Sequence, residues 1–137
     1  MTMKLLIVDD HAGIRAMIRQ LAALPDDAVI ECTSAETAIV VARAFAPDIV
    51  TMDVRLPGLG GLEATRAIRA SCPGTQVVVV SAYDQPALRS AAREAGADGF
   101  IAKDNLEQLR PVFARFSAAT RLAATIASKS AASNRRD

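Results

Sequence analysis

Five polar residues follow four short apolar segments of the chain, and their side chains are of types that transfer phosphoryl groups. Asp9 and Asp10 follow the first apolar segment, Asp53 the second, Ser81 the third and Lys103 the fourth. Carboxylates held close together repel one another, so a proton or a cation must relieve their charge. Carboxylate oxygens suit Mg²⁺, which often shares a phosphate with them. A carboxylate nucleophile with a dication, a lysine and a hydroxyl therefore indicates phosphoryl transfer.

The lysine and the serine have separate expected tasks. Lys103 offers a positive charge that pairs first with Asp53 and later with a phosphoryl oxygen, since a lysine behind an apolar strand needs a partner. Ser81 offers a hydroxyl donor to another phosphoryl oxygen. An aspartyl phosphate adds charge and acceptor oxygens, so its formation is expected to reorder nearby loops.

The four apolar segments are predicted to be strands of a parallel β-sheet. They lie at residues 5–8, 49–52, 77–80 and 100–102. The first three are nearly continuous rather than alternating, which is typical of strands buried on both faces. A weaker apolar run over residues 28–32 is expected to form a fifth strand near an edge of the sheet.

Helical patterns lie between the strands. Side chains with helical spacing occur at Ile14, Met17, Ile18 and Leu21 and again at Leu62, Thr65, Ile68 and Cys72. Strand and helix alternate five times, which predicts an α/β fold with a doubly wound parallel sheet and helices on both faces. Ligands bind such sheets at the carboxyl ends of the strands, so the five polar residues are expected to meet there.

Two helices carry signals at their ends. Thr33 and Glu36 are predicted to form a capping box that opens the second helix. Asp84 is predicted to cap the fourth helix, with Pro86 in its first turn and Gly96 at its end. The apolar side of this fourth helix is mostly alanine, so it should bury little area and be the least firmly docked element.

Length and composition indicate one globular domain. The chain has 137 residues, of which 51% are hydrophobic, and this suits a single core. A net charge of +1 gives no reason to expect nucleic acid or an acidic membrane as a partner. Cys32 and Cys72 show neither metal-ligand spacing nor a disulfide pattern, which fits a cytoplasmic location. The N-terminal apolar run is too short for a membrane span and lacks a signal-peptide pattern.

The domain is predicted to cover residues 1–117, followed by a helical extension, linker or tail over residues 118–137. A last helix of the domain is expected from about residue 105 to residue 116. Pro111 falls inside this helix and predicts a kink or a later start.

The motifs resemble those of the receiver domains of two-component response regulators. The resemblance is carried by the acidic pair, by residues 52–58 around Asp53, by the Ser81-Ala82 step and by Lys103, in this order, and covers about residues 3 to 116. It implies a flavodoxin-like (βα)₅ fold with strand order 2-1-3-4-5. His11 and residues 99–104 are also similar to the receivers that precede a helix-turn-helix domain in LuxR-type regulators.

The resemblance implies a role for each matching acidic position. Asp53 would be the phosphoacceptor. Asp10 and Asp53 would bind Mg²⁺ directly, together with the backbone carbonyl of Arg55, and Asp9 would act largely through water. Arg55 also matches a position that tunes the lifetime of the phosphoryl group.

The resemblance also implies how the phosphoryl group is held and sensed. Ser81, Lys103 and the backbone amide of Ala82 would grip the phosphoryl oxygens, and Tyr83 would tune their lifetime. Phe100 matches the switch aromatic, which would turn inward when Ser81 moves to the phosphate. That movement would alter the face built from the fourth helix, the fifth strand and the fifth helix.

The implied partners follow from this function. A sensor histidine kinase or a phosphotransfer protein would donate the phosphoryl group, and a phosphorylation-dependent homodimer is left open. The domain would phosphorylate and dephosphorylate itself without being a turnover enzyme. DNA would be a partner only through an effector domain outside this sequence, so a receiver cut from a DNA-binding regulator is the main alternative.

Two other functions remain open beside these. A phosphate-independent adaptor is one, and a Mg²⁺-dependent phosphatase with an aspartyl nucleophile is another, although Arg55 stands where such enzymes carry a second carboxylate. The Asp9-Asp10 pair alone would suit a helix cap. His11 is read as a surface loop residue. Four arginines are read as solvated helix faces, namely Arg66, Arg69, Arg89 and Arg93.

Overall fold

A five-stranded parallel sheet forms the centre of the fold in the computed structural model, which describes residues 2–116 and residue 126. The strand order is β2-β1-β3-β4-β5. The strands are β1 (Lys4–Val8), β2 (Ala28–Cys32), β3 (Ile49–Asp53), β4 (Gln76–Ser81) and β5 (Gly99–Ala102). The predicted flavodoxin-like order is confirmed, and the weak run at residues 28–32 is the edge strand β2.

Helices connect the strands in the predicted alternation. They are α1 (Ala12–Ala22), α2 (Ala35–Phe45), α3 (Gly61–Ser71) and α4 (Pro86–Glu94). A 3₁₀ helix over Lys103–Gln108 leads into α5, which is described over residues 109–116. Among the described residues no helix is long and apolar enough to cross a membrane. The predicted extension over residues 118–137 lies outside the described residues, apart from Ile126.

Two apolar layers, one on each face of the sheet, form the core. Alternate residues of a strand point to opposite faces, so a continuous apolar strand fills both layers. In β1, Leu6 and Val8 pack with α2 and α3, where small residues such as Ala38 and Ala64 allow close approach. Leu5 and Ile7 belong to the other layer, which includes residues of α1 and the C-terminal helices such as Ile18, Leu106 and Leu109. The sheet is therefore held from both sides.

The predicted capping box of α2 is wrong by one residue. Ser34, rather than Thr33, is the N-cap, and its hydroxyl accepts a hydrogen bond from Thr37 N at 3.3 Å. Glu36 is then the second residue of the helix, one position short of the capping-box position. Its carboxylate instead accepts a hydrogen bond from Leu59 N at 2.8 Å, in the loop after β3.

The predicted cap of α4 is also displaced. Gln85 is the N-cap and makes no side-chain hydrogen bond to the helix. Asp84 lies one residue too early to cap and instead forms an ion pair with Arg89. Pro86 is in the first turn as predicted, and Gly96 follows the helix with a φ of +100°.

The end of the domain distinguishes between the two expectations for Pro111. The chain forms a 3₁₀ helix first, and α5 begins at residue 109. Pro111 therefore lies in the first turn of α5, where its missing N–H leaves no intrahelical hydrogen bond unmade. A later start, rather than a kink, accommodates the proline.

Candidate functional site

The carboxyl ends of the central strands bring the polar residues to one edge of the sheet. Asp53 ends β3, which lies between β1 and β4. Asp9 directly follows β1, Ser81 ends β4 and Lys103 directly follows β5. In the register of β3 and β4, Asp53 pairs with Val80, so Ser81 lies one residue further along. The edge is the place where a sheet of this type binds ligands.

Lys103 bridges two buried carboxylates at this edge. Its Nζ lies 2.9 Å from Asp9 Oδ2 and 3.3 Å from Asp53 Oδ1. Asp9 is 1% exposed and Asp53 is 5% exposed. Taking two carboxylates out of water is costly unless a cation accompanies them, and the lysine supplies that cation.

The pKa values of Asp53 and Lys103 reflect both the burial of these groups and the charges of their neighbours. Burial and then the charge of Asp9 raise the pKa of Asp53, and the opposing influence of Lys103 does not cancel the rise. Burial lowers the pKa of Lys103, but its contact with Asp9 and the charges of Asp53 and Asp9 together outweigh burial, so that pKa is raised. The site is therefore short of positive charge, although the lysine is already in place.

Asp10 and His11 complete an acidic cluster around Asp9 and Asp53. Each of these four residues offers a ligand atom, and the four atoms lie within 4.8 Å of one another. Asp9 Oδ2 is buried without a well-aligned hydrogen bond, its near neighbour being the lysine. Hard carboxylate oxygens at this spacing, short of positive charge, fit a small dication such as Mg²⁺.

The acidic pair does not cap α1. His11 is the N-cap residue of that helix, and its side chain makes no capping hydrogen bond. Asp9 Oδ1 accepts a hydrogen bond from His11 N at 2.9 Å, outside the helix. The capping interpretation of Asp9 and Asp10 is therefore wrong, and their carboxylates belong to the cluster.

A cleft of about 320 Å³ lies beside Ser81 and is lined by residues of the loops after β3 and β4. Arg55 and Tyr83 meet there, with the guanidinium carbon 4.2 Å from the ring centroid. Ser81 is buried, and its Oγ accepts a hydrogen bond from Tyr83 N at 3.0 Å. In the described part of the chain no hydrogen bond joins Ser81 to Asp53. Ala82 is exposed at the start of the same loop.

Phe100 on β5 is half-buried and contacts α4. The guanidinium carbon of Arg89 lies 4.6 Å from the Phe100 ring centroid, and the same arginine pairs with Asp84. Arg89 therefore does more than solvate a helix face, contrary to prediction. Arg69 likewise hydrogen-bonds to the Thr75 carbonyl.

Sequence reasoning gave two residues of this region, His11 and Arg89, no role beyond the protein surface. His11 was read as a surface residue, although its position directly after the acidic pair was a usable signal. Arg89 carried no signal, because its contact with Phe100 joins residues of different elements.

Comparison with known proteins agrees with the fold. Residues 5–113 match the family model described as the response regulator receiver domain. Response regulator GacA of Pseudomonas aeruginosa is 37% identical over 120 residues, which cover 81% of this chain and 55% of GacA. Response regulator UvrY of Escherichia coli is 37% identical over 102 residues, which cover 72% of this chain and 46% of UvrY. The chain spans about half the length of these relatives.

Solved structures give the same result. A LuxR-family two-component response regulator from Aurantimonas is 32% identical with a TM-score of 0.70, over 89% of this chain and 99% of that one. The receiver domain of a putative NarL from Mycobacterium tuberculosis is 28% identical with a TM-score of 0.74, over 85% of this chain and 97% of that one. With the sheet order and the family match over residues 5–113, these likenesses establish that the chain belongs to the receiver-domain family of two-component response regulators.

Proposed function

We propose that this receiver domain accepts a phosphoryl group on Asp53 from the phosphohistidine of a sensor kinase or a phosphotransfer protein. The observation that carries the proposal is the bridge of Lys103 between the buried carboxylates of Asp53 and Asp9. That bridge places a cation within reach of any group added to the Asp53 carboxylate. The cluster around it suits a dication as well.

Mg²⁺ is the proposed cofactor. Asp10 and Asp53 would hold it with their carboxylates, the backbone carbonyl of Arg55 would complete the protein ligands, and Asp9 would act largely through water. When bound, Mg²⁺ supplies positive charge that neutralises the phosphoryl oxygens. The support in this chain is the spacing of the carboxylate oxygens and the shortage of positive charge around Asp53.

The transfer step forms one bond and breaks one. A carboxylate oxygen of Asp53 attacks phosphorus, the phosphorus–nitrogen bond of the donor breaks, and its electron pair stays on the donor imidazole, which then takes a proton. Lys103 exchanges its ion pair with Asp53 for one with a phosphoryl oxygen. The Ser81 hydroxyl leaves Tyr83 N and donates to a second oxygen, and the Ala82 amide assists. Water later hydrolyses the acyl phosphate, so the chain acts as a signalling domain rather than a turnover enzyme.

The proposed output surface is the face of α4, β5 and α5. Movement of Ser81 toward the phosphoryl group would leave space behind β4, and Phe100 would turn inward to fill it. That turn would break the contact between Phe100 and Arg89, which lies 4.6 Å from the ring in this structure. The altered face would bind a partner or a second copy of the chain.

Phosphotransfer from purified, labelled sensor kinases tests this function. We expect the wild-type chain to take up label with Mg²⁺ and to lose it slowly. The Asp53→Asn variant should take up none, and the Asp26→Asn variant, changed at an exposed residue outside the site, should match the wild type. Equal labelling of the wild type and the Asp53→Asn variant would exclude Asp53 as the acceptor.

A second candidate function is the receiver part of a DNA-binding transcriptional regulator. It is favoured because GacA and UvrY extend well beyond the matched segment and because a LuxR-family regulator is among the similar structures. The coding sequence after codon 137 tests it directly. A helix-turn-helix domain in frame would support this function, and a stop codon would oppose it.

A further inference from the structure

We propose that His11 adds an imidazole ligand to the acidic cluster, so that the site takes a first-row transition dication such as Zn²⁺ as well as Mg²⁺. This inference rests on the metal site proposed above. It concerns the choice of metal, which the three carboxylates alone do not determine. The ligand atom would be Nδ1.

The position of Nδ1 is that of a neighbouring ligand. It lies 3.0 Å from Asp10 Oδ1 and 3.4 Å from Asp9 Oδ1. Ligands bonded at about 2.1 Å lie about 3.0 Å apart in an octahedral site and about 3.4 Å apart in a tetrahedral one. The imidazole nitrogen thus shares one small volume with the carboxylates, and it needs no large movement to bind the same ion.

His11 has no competing task in α1. It is the N-cap residue, where serine, threonine, aspartate and asparagine are preferred, yet its side chain makes no capping hydrogen bond. Its backbone N–H instead donates to Asp9 Oδ1 at 2.9 Å, which ties the backbone to the cluster. The ring is 70% exposed, so it lies at the open side of the cluster, where an ion enters.

The buried side of the cluster carries an independent sign of a ligand. Asp9 is 1% exposed, and its Oδ2 has no well-aligned hydrogen bond. Lys103 lies 2.9 Å away and offsets part of that charge, but it does so for Asp53 as well. A cation between Asp9 and His11 would contact the carboxylate through Oδ1, the oxygen 3.4 Å from Nδ1, and would add positive charge to a carboxylate that shares its one lysine with Asp53.

The chemistry of the donors decides which ions gain from the histidine. Carboxylates and water suit Mg²⁺, whereas imidazole suits zinc, copper, nickel and iron. A site with three carboxylates and one imidazole therefore binds Zn²⁺ more tightly than the carboxylates alone would, and it binds Mg²⁺ about equally with or without the ring. In the opposing interpretation His11 is a positively charged counter-ion of the carboxylates. Its removal would then raise the affinity of the site for Zn²⁺ and Mg²⁺ alike.

Calorimetric titration of the tag-free chain with Zn²⁺ and with Mg²⁺, at about pH 8 where imidazoles are mostly neutral, separates these interpretations. We expect the His11→Ala variant to lose Zn²⁺ affinity by about tenfold or more and to change Mg²⁺ affinity by less than about twofold. The Asp10→Asn variant should lose affinity for both ions. The same series in the Cys72→Ser background removes the partly exposed thiol as a competing zinc ligand.

Nitrogen NMR provides a direct second readout. His11 is the single histidine of the chain, so its Nδ1 resonance is unambiguous, and we expect Zn²⁺ to shift it. A rise of both affinities in the His11→Ala variant, or no change in either with an unmoved Nδ1 resonance, would overturn the role of His11 while leaving the Mg²⁺ site standing. Failure of the wild type to bind either ion would instead overturn the metal site itself.

Discussion

Asp53 lies beside a second buried carboxylate, and one lysine serves both. Two unit charges 4.8 Å apart, the limit of the cluster, repel by about 3 kcal/mol at an effective dielectric constant near 20. Lys103 offsets part of this repulsion, yet the pKa of Asp53 remains raised by burial and by Asp9. We therefore expect the ionised Asp53 carboxylate to lower the stability of the fold, and a bound cation or phosphoryl group would relieve that cost.

The cost of that charge is measurable at the level of one residue. The Asp53→Asn variant should be more stable than the wild type by about 1–3 kcal/mol near pH 7 without divalent ions, because it removes one of the repelling charges. Chemical denaturation with EDTA measures this difference. The Asp26→Asn variant controls for the loss of an exposed carboxylate and should change stability by less than about 0.5 kcal/mol.

The pH dependence of this difference has a defined sign. The pKa of Asp53 is raised in the folded state, so its ionisation opposes folding as the pH rises through that pKa. The advantage of the Asp53→Asn variant should vanish in acid and grow toward neutral pH. Excess Mg²⁺ should reduce the stability difference between the variant and the wild type, because an ion that binds the folded wild type stabilises that protein. An advantage that is constant across pH would contradict the proposed origin.

Arg55 and Tyr83 are predicted to act as one unit on the lifetime of the phosphoryl group. Their stacking closes part of the cleft beside Ser81, with 4.2 Å between the guanidinium carbon and the ring centroid. An exposed contact of this kind contributes about 0.5–1 kcal/mol, so either alanine variant should lose label about two- to fivefold faster. The double variant should hydrolyse no faster than the single ones, whereas multiplied effects would show independent action.

At the scale of elements, the loop and helix after Asp53 are packed against the strand that carries it. Gly61 opens α3, and its N–H donates to the Val54 carbonyl at 3.0 Å. A Cβ at this position would lie 1.8 Å from the Asp53 carbonyl oxygen, so only glycine allows the helix to start there. Glu36 holds the far side of the same loop through Leu59 N. The contacts of α3 and of the loop after β3 therefore hold the backbone of Asp53 in place.

This close approach predicts opposite effects for two glycine substitutions. Gly61→Ala should destabilise the domain by about 3 kcal/mol or more, because the strand and helix must separate. Gly13→Ala, inside α1 with no atom within 4 Å of the new Cβ, should stabilise it by about 0.5 kcal/mol. Thermal and denaturant unfolding measure both. Similar effects at the two positions would show that α3 and β3 leave room for a side chain at position 61.

Weak docking is predicted for α4 relative to the other helices. Only Ala92 of the residues in this helix is buried, while α2 and α3 each bury several side chains. Backbone amides of α4 should therefore exchange with solvent faster than those of α3 in native-state hydrogen exchange. An α4 protected as strongly as α3 would contradict the idea that this element moves during signalling.

These elements also show where sequence reasoning succeeds and fails. The strands and their meeting edge were predictable because short continuous apolar runs end in polar residues. The cap of α2 was not, because Thr33 and Ser34 are adjacent and both suit the role, and the start of the helix decides between them. The contact of Arg89 with Phe100 depends on tertiary packing, which no local spacing encodes. The place of His11 beside Asp10 follows from their adjacency in the sequence, so that signal was available and was not used.

At the scale of the whole molecule, two apolar layers enclose a sheet, and charged side chains lie together at the carboxyl ends of its strands. The layers hold β1, β3 and β4 side by side, so residues far apart in sequence lie within a few ångströms of one another. A change at Asp53 is expected to alter the positions of Ser81, β5 and α4 in turn. The helix α4 should move most readily, because only one of its residues is buried. The fold is therefore expected to combine a firmly packed site with an α4 face that responds to it.

Amide NMR during titration with Mg²⁺ and beryllofluoride, a mimic of the phosphoryl group, tests most directly whether these residues form one phosphoryl site. We predict that the amides of Asp53, Ser81, Ala82 and Lys103 shift together only when both additions are present, with further shifts at Phe100 and in α4. The Asp53→Asn variant should show none of these changes. Unmoved amides in the wild type, or the same shifts in that variant, would contradict the assignment.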